Sequence, residues 1–112
     1  DKPIYFVTGN HEYYISNYKE KISNLNKFNL NILNNTNSIF EEINIIGIDD
    51  NIDNNKKNNF VNNFLDNSKL NLLLIHKPSL WCNVKDKIDL MFSGHTHNGQ
   101  IFPFNFFCSI TI

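Results

Sequence analysis

Apolar residues recur in short runs between polar, asparagine-rich stretches, and the runs define the predicted elements. Ile4–Val7, ended by Thr8-Gly9, reads as a buried strand followed by a loop. Tyr14, Ile15, Tyr18, Ile22, Leu25 and Phe28 return at helical spacing, which predicts an amphipathic helix over Tyr13–Phe28. Leu30–Leu33, Ser38–Phe40 and Ile43–Ile48 read as strands, with Gly47 permitting a bend or close packing. Asp49–Asn59 is polar and loop-like, and Phe60, Val61, Phe64 and Leu65 suit a second helix. Leu70–Ile75 is a continuous apolar run, expected to form a strand covered on both faces. Pro78–Lys87 reads as a short helix or turn and Ile88–Phe92 as a buried strand ending at Ser93-Gly94, with one more strand from Gln100 onward.

Strands alternating with helices predict a layered α/β fold. No internal repeat or linker interrupts residues 1–112, so a single domain is expected. The chain opens on Asp1-Lys2-Pro3 directly before a strand and stops at Ile112 inside an apolar run. Native termini are more often polar and exposed, so we expect a piece of a longer parent, cut at both ends.

All four histidines, His11, His76, His95 and His97, lie at or just beyond the carboxyl end of a predicted buried strand. A lone histidine in such a place is ordinarily a surface residue. Four of four is a different matter, because ligand crevices in α/β sheets open beyond the carboxyl ends of the strands. If the strands run parallel, three loops bring four imidazoles to one place. His95 and His97, two apart in extended backbone, point the same way while Thr96 faces away. Gly94 and Gly99 bracket the pair and permit a tight loop. Imidazoles suit Zn, Fe, Mn and similar metals. Asn10 and His11 are neighbours and diverge, which suits an amide oxygen as ligand and an imidazole turned to substrate; a plain turn after Gly9 is the competing reading of Asn10. Glu12 reads as a supporting or helix-starting carboxylate. Asp49 and Asp50 read as a solvated turn.

Composition narrows the class. Net charge is −1, which offers no nucleic-acid-binding face. No apolar run approaches the ~20 residues of a membrane-spanning helix. Cys82 and Cys108 lack Cys-x-x-Cys spacing and read as free thiols of a reducing compartment. Asparagine makes up about a fifth of the chain, scattered among the periodic positions rather than gathered in a tract, as a bias toward A/T-rich codons would leave it.

Gly9-Asn10-His11-Glu12, then His76 closing an apolar strand, then Gly94-His95-Thr96-His97 resembles the last three of the five motif blocks of the calcineurin-like metallophosphoesterases. The continuation Asn98-Gly99-Gln100 with Pro103, together with Gly47-Ile48-Asp49-Asp50, is similar to a bacterial branch of that family, many of whose members carry membrane segments. Asn98 stands where that branch usually has Gly, a mild change because Asn also tolerates positive φ.

The resemblance implies the C-terminal portion of an αββα sandwich and a phosphoesterase using two divalent ions, Mn²⁺, Zn²⁺ or Fe²⁺. It implies Asn10, His76 and His95 as ligands of one ion, His97 as a ligand helping to hold the other, and His11 as the catalytic group facing the phosphate. A phosphorylated small molecule or lipid-linked compound is the implied substrate. The first two blocks, with their bridging aspartate, are absent here, so weak metal sites and an inert isolated chain are expected. They also leave room for membrane association through a segment outside this chain, with the parent cytoplasmic or membrane-associated. A catalytically inactive scaffold of the same fold is the alternative, and retention of all these residues argues against it.

Overall fold

The computed structural model describes residues 2–95, and the strand expected from Gln100 onward lies outside them. Two sheets form. Strand β1 (Ile4–Phe6) pairs in parallel with β2 (Leu30–Ile32). Strands β3 (Thr36–Phe40), β4 (Ile43–Ile48), β5 (Leu70–Ile75) and β6 (Leu90–Ser93) form a second sheet in that order. There β3 runs antiparallel to β4, while β4, β5 and β6 are parallel. The helices are α1 (Tyr18–Leu25), α2 (Asn54–Phe64) and the single turn α3 (Trp81–Val84). The expected mixed α/β architecture is what forms.

Side-chain alternation along β4 and β5 explains the layering. Ile46 and Ile48 stand in register with Leu73 and Ile75, and all four are buried with Val61 of α2, Leu80, Val84 and Ile88. Each such burial contributes about 1.5–3 kcal/mol. The opposite face meets the small sheet at Gly47. A Cβ built there would lie 2.1 Å from the Leu33 Cβ and 3.0 Å from the Val7 Cγ1. Phe6 and Ile32, on the far side of the small sheet, border α1. The order of layers is helix, sheet, sheet, helix.

Several sequence expectations are corrected. The helix expected over Tyr13–Phe28 breaks at Asn17, whose φ is 61°, into a 3₁₀ turn at Glu12–Tyr14, then α1, then a second 3₁₀ turn at Asn26–Phe28. The loop expected over Asp49–Asn59 ends early, because Asp53 caps α2 by accepting the Lys56 N–H at 2.9 Å. Strand β5 is fully buried on one face and only half-buried or exposed on the other. Strand β6 starts at Leu90 rather than Ile88, and Leu90 and Phe92 are exposed.

The bottom of the larger sheet is polar. Asn44 and Asn71 are register partners, both buried, and the Asn44 Nδ2 donates to the Asn71 Oδ1 at 2.8 Å and to the Phe64 carbonyl at 2.7 Å. Asn37 donates to the Asn44 Oδ1 at 2.8 Å, and Asn71 exchanges bonds with both backbone groups of Asp66. These amides satisfy the C-terminal end of α2 and the turn after it. Cys82 is a free, exposed thiol; Cys108 lies outside the described residues. Among the described residues no helix is long and apolar enough to cross a membrane.

Candidate metal centre

Because β4, β5 and β6 are parallel, their carboxyl ends share one edge, and His76 and His95 leave from that edge. Strand β1 brings a third loop to it. The close approach at Gly47 seats the small sheet on β4, which carries Thr8-Gly9-Asn10 over the end of β5. Thr8 is fully buried, and its hydroxyl donates to the Asp49 Oδ1 at 2.7 Å. Tyr13 donates to the same oxygen, and so does the Asn51 N–H at 3.2 Å. Asp49 thus ties the end of β4 to both sides of the loop that holds Asn10. Burial together with the bond to Asp49 and its charge pushes the Tyr13 phenol up to about 12.

Glu12 starts the 3₁₀ turn, as expected, and its Oε2 accepts the Gly9 N–H at 2.7 Å. Gly9 has no room for a side chain: a Cβ would meet the His76 Nδ1 at 2.9 Å. The imidazole therefore lies directly on the loop backbone. The Gly94 N–H donates to the His76 carbonyl at 3.0 Å and fixes the start of the His95 loop.

Three donor atoms converge there. The His76 Nε2 stands 2.7 Å from the Asn10 Oδ1 and 3.0 Å from the His95 Nδ1. Hydrogen bonding alone satisfies this poorly. As an N–H, Nε2 has one proton for two acceptors; as a lone pair it faces the amide oxygen. A divalent cation would remove the conflict: donors about 2.1 Å from one ion at tetrahedral to octahedral angles lie about 3.0–3.4 Å apart, so the imidazole pair at 3.0 Å already fits and the amide oxygen at 2.7 Å would move out by a few tenths of an ångström. Burial first, with His95 and Lys77 adding to it against Asp50 and Glu12, holds His76 below the usual histidine range and keeps it in the neutral, metal-binding form. His95 adopts φ 67°, a conformation sparsely used outside glycine and recurrent at functional sites.

The donor set fits a metal in kind but is incomplete. Among the described residues no group of three or more His, Cys, Asp or Glu side chains is placed to hold an ion. The cluster consists of two imidazoles and one amide oxygen. His97 lies outside the described residues. His11 does not join the cluster: its backbone is helical rather than extended, its ring is exposed and stands edge-on to Tyr14 at 6.0 Å, and it makes no hydrogen bond to the cluster among the described residues.

Asp49 and Asp50 are not the solvated turn the sequence suggested; they are 8% and 7% exposed. Neighbours at a strand end point to opposite faces, so Asp49 serves the loop side. Asp50 turns to the helix side, where its carboxylate lies 3.1 Å from the Lys77 Nζ and 3.6 Å from the Lys57 Nζ. Lys57 sits on the inner face of α2, and Lys77 follows His76. Asp50 therefore pins the backbone next to His76 to the helix layer. Of the two lysines only Lys57 is buried, with 4% of its side chain exposed, and a buried ammonium needs a partner such as this carboxylate.

The sequence profile of the calcineurin-like phosphoesterases matches residues 1–99. An uncharacterized metallophosphoesterase of Helicobacter pylori is 36% identical over 108 residues, covering 90% of this chain and 29% of that protein. One from Campylobacter jejuni is 37% identical over 110 residues, covering 91% and 29%. A bovine transmembrane protein with a metallophosphoesterase domain is 32% identical over 122 residues, covering 90% and 27%. The chain spans less than a third of each of these relatives, and they are not confined to bacteria. No solved structure matches.

Proposed function

Because the chain belongs to the calcineurin-like phosphoesterase family, we propose that its parent protein hydrolyses phosphoesters with divalent metal ions held in part by this chain. The observation that carries the reading is the placing of the His76 Nε2 2.7 Å from the Asn10 Oδ1 and 3.0 Å from the His95 Nδ1. These three atoms would hold one ion and His97 would help to hold a second. The remaining ligands of a dinuclear centre belong to parts of the parent beyond this chain. Bound ions of this kind supply positive charge against the phosphoryl oxygens and lower the pKa of the attacking water.

The chain's own residues do the rest. Asp49, through Thr8 and Tyr13, holds the Asn10 amide in place. Gly9 lets the His76 ring seat on the loop, and Asp50 with Lys77 anchors the backbone beside it. His11, exposed next to Asn10 in the chain, is the group we assign to the phosphate, where an imidazole stabilises charge or protonates the leaving oxygen. The net charge of −1 makes the ions the main source of attraction for an anionic substrate. A membrane-linked location of the parent is part of the proposal, supported by the bovine relative's transmembrane description. The test is metal content and turnover of the whole protein on aryl phosphate mono- and diesters. His95→Ala should lose both together. Full activity in a metal-free whole protein would overturn the reading.

A further inference from the structure

A cavity of about 490 Å³ lies beside Tyr13, between α1 and the end of β4. Its wall includes Asp49, whose side-chain hydrogen bonds, from Thr8, Tyr13 and the Asn51 backbone, all fall on Oδ1. That leaves Oδ2, on a residue only 8% exposed, as an acceptor for whatever enters. Tyr13 and Tyr18 line the cavity as a tilted aromatic pair with centroids 4.8 Å apart. Asn26, Asn34 and Asn51 add amides, which both donate and accept, Ser23 adds a hydroxyl and Lys19 a cation, over a base of Ile22 and Ile32.

We propose that this cavity binds an uncharged, hydroxyl-rich group, the sugar moiety of a phosphoester substrate. Three features select that chemistry. The Asp49 carboxylate, with a free acceptor site, and the Lys19 ammonium leave the wall without net charge and pair with hydroxyls, which both accept and donate. The amides would lose their water without replacement against an acyl chain, which disfavours a lipid tail. Tyrosine rings beside an aliphatic base suit the C–H faces of a sugar, and few polar groups around an apolar base is how small-molecule sites are built. The cavity and the metal cluster share one loop: Thr8, bonded to Asp49 of the cavity wall, is two residues from Asn10, a chain span of at most about 7 Å.

The proposal rests on the phosphoesterase reading, and the experiment separates the two. The whole protein is assayed on p-nitrophenyl phosphate, on bis-p-nitrophenyl phosphate, and on their sugar counterparts, a hexose phosphate and a hexose p-nitrophenyl phosphodiester. The variants are Tyr18→Ala and Asn51→Ala, at half-buried and exposed positions, with melting curves recorded for each. The expected result is a KM for the sugar ester about tenfold higher in each variant, the effect of losing one contact, with kcat and the sugar-free esters changed less than twofold. If the wild type hydrolyses both classes and the variants move both equally, or neither, the sugar site is wrong while the phosphoesterase reading stands. If the wild type hydrolyses none of the four esters, that reading fails and the sugar site falls with it.

Discussion

Gly47 of β4 and Leu33, the residue after β2, meet where the two sheets pack: a Cβ on Gly47 would stand 2.1 Å from the Leu33 Cβ. No rotamer relieves a clash between two Cβ atoms, so the backbones themselves must part. Gly47→Ala should therefore destabilise the fold by about 3 kcal/mol, the upper end for overpacking. It should also weaken metal binding, since the same contact carries Asn10 to His76. Denaturant unfolding beside calorimetric Mn²⁺ titration of the whole protein checks both. Unchanged stability would mean that the sheets do not touch there.

The buried amide pair predicts a second effect. Asn71→Ala removes the acceptor of the Asn44 Nδ2 and of the Asp66 N–H. Each buried group left unpaired costs about 1–3 kcal/mol, so a loss of about 2–4 kcal/mol is expected. Replacing Asn44 and Asn71 together by Leu should cost less than the sum of the single changes, because the two share one bond. A double-mutant cycle from urea unfolding measures this; strict additivity would contradict the pairing.

Tyr13 gives a pH dependence. Its pKa is raised from about 10 to about 12 in the fold, so the folded state holds the proton more tightly than the unfolded chain. The stabilisation is present in full below the unfolded value and is lost as pH rises through the folded one. Melting temperature should fall between pH 10 and pH 12 more steeply in the wild type than in Tyr13→Phe, which has no phenol to titrate. Parallel slopes would show that neither burial nor the bond to Asp49 raises the phenol in the folded state.

His11 separates catalysis from metal binding. In the whole protein, His11→Ala should leave metal content unchanged and lower turnover by about 10²–10⁴ on esters with poor leaving groups, the range for losing an acid–base group. Good leaving groups need little protonation and should show a smaller loss. Metal analysis beside steady-state kinetics decides the role, and a variant stripped of metal would make His11 a ligand instead.

The legible part of the fold was the part carried by apolar alternation and strand ends. β4 and β5 fall where the sequence placed them, and the loops after β1 and β5 carry Asn10 and His76 to the same edge. The misread parts involve asparagine and buried charge. The periodic positions from Tyr14 to Phe28 cannot show the break at Asn17, because asparagine enters the left-handed region at little cost and the helix pattern resumes after it. Asn44 and Asn71 passed as compositional background, since one amide in a strand looks like any other until its register partner is known. Asp50 read as solvated because Lys57 and Lys77, its partners, come from two distant segments. The Asp53 cap was readable, and the polar run Asn54–Asn59 concealed it.

Anomalous diffraction from the whole protein crystallised with Mn²⁺ decides whether the three donor atoms share an ion. A peak is expected about 2.0–2.3 Å from the Asn10 Oδ1, the His76 Nε2 and the His95 Nδ1, at ordinary metal–ligand distances. A fully occupied Mn²⁺ peak elsewhere in the protein, with these three atoms merely hydrogen-bonded to one another, would contradict it.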